Sequence, residues 1–173
     1  MNHAARLPLV FDTSSIKEER LVPHHRFTKV QRYGRNAAGT HVAYTQTYTL
    51  PNAYEFLIML PHAVLALETP HVFLLEIPAT EGDDPVLTPH IDINKTCGIN
   101  VYLEAHGETT MFYKWDKKTK TSEFKEEFCA EAGECWLMDT TVPHAVRMVP
   151  NTRRRMLTFS FTKAKYEQVL GAV

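Results

Sequence analysis

Arg153-Arg154-Arg155-Met156-Leu157-Thr158-Phe159-Ser160-Phe161 reads as an extended strand with two unlike faces. Side chains alternate across a strand, so Arg154, Met156, Thr158 and Ser160 share one face while Arg155, Leu157, Phe159 and Phe161 share the other. The apolar face must be covered, and helices packed over it would do so. The polar face then looks into a pocket. A guanidinium offers planar, paired donors to a carboxylate, and a nearby hydroxyl adds another. Arg154 is therefore the expected acid-binding residue, with Arg155 as its alternate; a solvated strand end is the plainer reading of the arginine triplet.

Strand signals of the same kind fill the chain from residue 71 onward. Residues 72–77, 97–103, 109–115, 122–128, 135–138, 145–149 and 156–161 are short β-prone runs separated by Gly, Pro, Asp or Lys-rich turns. Many short strands imply a sandwich or a barrel. The Lys-rich run from Lys114 to Lys120 falls where a hairpin must turn, so a solvated tip is expected rather than a site.

The earlier part of the chain mixes its signals. Ser15 and Glu18 have the spacing of a capping box, which suggests a short helix. Residues 27–33 and 41–50 read as a hairpin around the turn-prone 34–39, with Thr45, Thr47 and Thr49 as the polar half of a period-2 pattern. Pro51-Asn52 opens a helix over 53–60, placed to cover a sheet, and residues 163–170 make one or two further helical turns. The expected architecture is mainly β with a few supporting α-helices.

At 173 residues, with 44% hydrophobic and 23% charged, the chain suits a single domain spanning 1–173. A net charge of −1 supplies no strongly basic face, which disfavours nucleic acid and anionic membranes as partners. Cys97, Cys129 and Cys135 are odd in number and lack C-x-x-C spacing, so a reducing cytoplasm is expected rather than a disulfide framework or zinc knuckle. No apolar leader opens the chain, and Pro61 breaks the apolar stretch over 56–67, so a soluble protein is expected.

The chemistry centres on His90-Ile91-Asp92 and, further on, His144. Two imidazoles and one carboxylate can hold one face of a metal and leave the opposite face open, as in non-haem Fe(II) oxygenases. By itself H-x-D is a short pattern that also occurs in ordinary turns and caps. Here it lies between a Gly- and Asp-rich loop and the strand beginning near Cys97, where period-2 geometry turns both side chains to one side. His144 follows a turn, a strand and a second turn over residues 133–143, and so can reach back across the sheet. Trp136 and Phe112 read as core, whereas His24, His25, His62, His71 and His106 lack partners at ligand spacing.

In order, His90-x-Asp92, then Gly133-Glu134-Cys135-Trp136-Leu137-Met138-Asp139 leading into Pro143-His144-Ala145-Val146, then Arg154 ahead of Leu157-Thr158-Phe159-Ser160-Phe161, resemble the Fe(II)/2-oxoglutarate-dependent dioxygenases. The strand and turn look most like the aspartyl/asparaginyl hydroxylase-like and proline hydroxylase-like branches. The resemblance covers about residues 72–162, and residues 1–71 add nothing to it. It implies a double-stranded β-helix, the jelly-roll or cupin-like architecture of two facing antiparallel sheets. It also implies His90, Asp92 and His144 as the iron ligands and Arg154, with Arg155 as substitute, on the distal carboxylate of 2-oxoglutarate. Asn100 and Tyr102 share a strand face where relatives place groups that touch this co-substrate. One departure stands out: relatives often carry a single arginine followed two positions later by Ser, whereas here three arginines are consecutive and Met156 follows Arg154.

The implied activity uses Fe(II), dioxygen and 2-oxoglutarate to hydroxylate an unactivated C–H bond of an amino acid, a peptide or another small molecule, releasing succinate and carbon dioxide. A metal-binding cupin that does not use 2-oxoglutarate and a non-catalytic jelly-roll binding module are the competing readings. Selectivity is expected to reside in loops and in the N-terminal part.

Overall fold

The computed structural model describes residues 2–23, 45–79, 86–116, 118 and 121–173. The first segments in chain order are β1 (Ala4–Leu7), a 3₁₀ turn (Glu18–Arg20), β2 (Val22–Pro23), β3 (Gln46–Thr49), α1 (Ala53–Leu57) and α2 (His62–Leu67). There follow β4 (His71–Ile77), β5 (Val86–His90), β6 (Cys97–Glu104), β7 (Thr109–Asp116) and β8 (Thr121–Cys129). The chain then forms β9 (Cys135–Asp139), β10 (His144–Arg147), β11 (Arg154–Phe161) and α3 (Tyr166–Ala172).

Two antiparallel sheets face each other. The larger has the order β1-β9-β6-β11-β4-β3-β2 and the smaller β5-β10-β7-β8. From β4 to β11 the chain visits the larger sheet, the smaller, the larger, the smaller twice, then the larger, the smaller and the larger again. That winding is a double-stranded β-helix, or jelly roll. β1 extends the larger sheet beyond β9, and β3 with β2 extends it beyond β4.

β11 sits between β4 and β6, and all its residues are buried. Leu157, Phe159 and Phe161 pack on the outer side of the larger sheet with Leu74, Ile99 and Leu137, under Phe56 of α1, Val64 of α2 and Val169 of α3. Burying each such side chain contributes about 1.5–3 kcal/mol. Arg154, Met156, Thr158 and Ser160 face the opposite way, into a cavity between the sheets. Glu68, just beyond α2, fastens the helices to this layer: its carboxylate accepts hydrogen bonds from the N–H groups of Thr162, Lys163 and Ala164 and from the Thr162 hydroxyl. Burial alone would raise the Glu68 pKa, but these donors outweigh it and hold it at about 2.

Several expectations are corrected. The predicted capping box at Ser15 and Glu18 does not form, and one 3₁₀ turn stands in its place without a side-chain cap. Glu18 is instead drawn to Arg155, and the Ser15 hydroxyl accepts from Asn52. The helix over 53–60 ends at Leu57, and Pro61 starts a second one. β5, where no strand was expected, forms despite Pro89; it lies at the edge of the smaller sheet, where a missing N–H costs no ladder bond. The Lys-rich tip agrees with expectation, since β7 and β8 pair out to Asp116 and Thr121 and Lys114, Asp116 and Lys118 are exposed. Residues 27–39, with most of the predicted hairpin, lie outside the described residues, as do His24 and His25. Among the described residues no helix is long and apolar enough to cross a membrane.

Candidate metal centre and binding cavity

His90 ends β5, His144 begins β10, and the two are cross-strand partners. Their ring centroids lie 4.5 Å apart. The β10–β5 pairing is irregular between His144 and Val146, and such a bulge re-aims a side chain at a strand end. Asp92 follows β5 by two residues, so strand alternation does not place it. It is held by its N–H, which donates to the Thr140 carbonyl at 3.3 Å, and by a turn in which Asn94 takes a left-handed φ of 62°. One ligand atom from each of His90, Asp92 and His144 lies within 4.8 Å of the others, the only such grouping of three among the described residues.

The protonation chemistry suits metal binding. His144 Nδ1 lies 2.9 Å from the Val142 carbonyl, which can only accept, so Nδ1 carries the proton and Nε2 keeps its lone pair. Burial, then the neighbouring His90, lowers the His144 pKa and favours the neutral, ligating imidazole, with Asp92 only partly opposing. Burial works to raise the Asp92 pKa, but Lys95, His144 and His90 together hold it low, as a carboxylate.

The cavity beside these residues has a volume of about 300 Å³ and draws its lining from both sheets. Leu75, Ile77, Leu87, Val146 and Met156 make its apolar walls. Arg154, 2% exposed, is its buried cation. Arg154 donates to the Tyr102 hydroxyl at 2.6 Å and the Thr110 hydroxyl at 3.1 Å, and its guanidinium stacks on the Tyr102 ring at 4.8 Å. Its Nε and Nη1 have no hydrogen-bond partner among the described residues, and neither do the hydroxyls of Thr47 and Thr140, which also line the cavity. Each unmet buried donor costs about 1–3 kcal/mol, more when charged. Arg154, Thr47 and Thr140, the residues that carry these four unmet atoms, all line the one cavity.

The remaining predicted residues separate. Asn100 lines the cavity, accepting from Thr158 at 2.9 Å and donating to Met138 Sδ at 3.2 Å. Tyr102 is buried and acts as a prop for Arg154; burial raises its pKa and Arg154 partly offsets this. Arg155 is not brought to the cavity. A one-residue step along a strand reverses the side, and Arg155 instead pairs with Glu18 at 2.5 Å and Glu76 at 3.4 Å. Arg153 pairs with Glu104 at 2.7 Å. Phe112 is fully buried beside the His144 ring, while Trp136 is half-buried, stacked 4.2 Å from Phe128. His62 and His71 are exposed, and His106 meets Glu104 at 3.3 Å.

Sequence reasoning missed Lys95, Thr47 and Thr140. The period-2 threonines signalled a polar face at Thr47, but its burial depends on β3 pairing with β4. Nothing local distinguishes Thr140 from Thr141, whose hydroxyl is satisfied by Asp139.

No family model matches the chain, and no curated protein matches it. Among solved structures it is similar to an oxidoreductase of the 2OG-Fe(II) oxygenase family from Burkholderia pseudomallei, at 14% identity over 94% of this chain and 86% of that one, with a TM-score of 0.48. A Pseudomonas putida prolyl-4-hydroxylase is similar at 16% identity over 70% of this chain and 73% of the other, with a TM-score of 0.44. The 7S globulin of Momordica charantia is similar at 14% identity over 69% of this chain, with a TM-score of 0.43, and the chain spans only 30% of that globulin's length. The jelly-roll assignment rests on the strand order and register described above.

Proposed function

We propose that this chain is an Fe(II)- and 2-oxoglutarate-dependent oxygenase that hydroxylates an unactivated C–H bond of an amino acid, peptide or other small molecule, with release of succinate and carbon dioxide. The observation that carries the reading is the joint presence, on one cavity, of a two-histidine, one-carboxylate cluster and a buried guanidinium that no carboxylate of the described residues pairs with. A structural metal site has no use for the arginine. A plain anion site has no use for the cluster.

In this reading His90, Asp92 and His144 hold Fe(II), whose affinity for imidazole and carboxylate suits the donor set. The bound metal and 2-oxoglutarate supply the oxidising chemistry. The chain's part is to position and to exclude water. Arg154, oriented by Tyr102 and Thr110, pairs with the distal carboxylate of 2-oxoglutarate, while the apolar walls keep solvent from the reacting centre. The N-terminal part belongs to the same domain in this reading, since Thr45, just before β3, and Thr47 within it line the cavity. A cupin that does not use a dicarboxylate would leave Arg154 without a function.

The test is anaerobic Fe(II) titration with and without 2-oxoglutarate. The weak visible charge-transfer band of the chelate is expected for the wild type and not for His144→Ala, followed by succinate release when candidate substrates are added. A metal site indifferent to 2-oxoglutarate would overturn the reading.

A further inference from the structure

The two oxygens of Asp92 have different neighbours. Oδ1 lies 3.8 Å from His90 Nε2, on the side of the histidine cluster. Oδ2 accepts a 3.1 Å hydrogen bond from Lys95 Nζ. The left-handed Asn94 turns the chain so that Lys95 meets the residue three positions before it. On its other side the ammonium lies over the Phe73 ring of β4, 5.4 Å from the centroid, and the Lys95 side chain is only 25% exposed. A lysine confined between a carboxylate and an aromatic face is not a mobile surface cation.

We propose that Lys95 is a positioning residue that holds Asp92 monodentate. This rests on the metal-centre reading above. A carboxylate with both oxygens available binds a divalent ion through one or both of them. The charge-assisted bond from Lys95 engages Oδ2 and leaves Oδ1 as the atom offered to the metal. The consequence is coordinative: three protein atoms occupy one face, and the whole opposite face stays available to co-substrate and dioxygen. Lys95 would thus keep open the positions on which the proposed reaction depends, without touching substrate.

The test uses Mn(II) alone as probe, with water-proton relaxivity reporting the waters left on the bound ion. Wild type, Lys95→Met, Lys95→Arg and His144→Ala are compared, with thermal transitions to verify folding; Lys95→Leu, which also lacks a donor, replaces the methionine variant if that one is destabilised. Methionine keeps the apolar stem over Phe73 but cannot donate to Asp92. The expected result is a drop in bound-ion relaxivity of roughly a third in Lys95→Met, as a bidentate carboxylate displaces about one of three waters in six-coordinate geometry, with wild-type behaviour in Lys95→Arg. Equal relaxivity in wild type and Lys95→Met at saturating Mn(II) would overturn the role of Lys95 and leave the metal centre standing. Equal Mn(II) binding by wild type and His144→Ala would overturn the metal centre, and the proposal with it.

Discussion

Arg154 and Tyr102 form a pair in which the hydroxyl accepts from Nη2 at 2.6 Å while the ring carries the guanidinium on its face at 4.8 Å. The tyrosine and Thr110 both engage Nη2, and Nε and Nη1 are left unmet among the described residues. Tyr102→Phe keeps the ring and removes the acceptor. It is expected to raise the KM for 2-oxoglutarate about 3- to 10-fold, the equivalent of roughly 1 kcal/mol, with a smaller change in kcat. Steady-state succinate release checks this, and an unchanged KM would mean that Tyr102 does not orient Arg154.

Arg154 and Arg155 should differ in kind. Arg154→Ala is expected to raise the 2-oxoglutarate requirement on the order of 100-fold, since a charge-assisted pair is worth about 1.5–3 kcal/mol. Arg155→Ala should leave that requirement unchanged and cost about 1–2 kcal/mol of stability, because on the far face of β11 it removes the closer of the two arginines that Glu18 and Glu76 each meet, leaving them Arg153 at 3.8 and 3.9 Å. Parallel urea melts and succinate assays separate the two effects.

Thr140, 5% exposed with an unmet hydroxyl, tests whether the cavity's orphaned atoms await a ligand. Thr140→Val should leave the free protein as stable or up to about 1 kcal/mol more stable, since it removes an unsatisfied polar atom without changing shape. It should weaken binding of 2-oxoglutarate or of substrate several-fold. A destabilised free protein with unaltered binding would show the hydroxyl to be structural.

Glu68 gives the acid dependence a sign. Its folded pKa is depressed from 4.5 to about 2, so its contribution is present in full above the unfolded value and is lost as pH falls from about 4.5 to 2. Glu68→Gln is expected to cost about 1–2 kcal/mol near neutrality, a figure discounted for the partial solvation of the group, and to flatten the stability profile below pH 4.5. Urea denaturation across pH 2–7 is the measurement; parallel profiles for the two proteins would exclude Glu68 as an acid-sensitive link between α2 and β11.

Legibility followed the range of the physics. The strands from β6 to β11 were readable because each carries its own short β-prone run between turn residues. β5 was not, because Pro89 disqualifies a central strand and only the sheet order reveals that this strand is an edge. The helix expected at Ser15 failed for a related reason: Glu18 could cap locally, but Arg155, far along the chain, offers it an ion pair.

The sequence by itself determined which side chains share a face of β11, because alternation is a property of the extended backbone and needs no partner. Arg154 with Thr158, and Arg155 on the opposite side, follow from that alone. Only the tertiary structure decided that His144 stands opposite His90, that Asp92 is anchored beside them by its N–H on the Thr140 carbonyl, and that Lys95, turned back at Asn94, engages the carboxylate's second oxygen. Those relations depend on register across strands distant in sequence, and a local pattern cannot encode register.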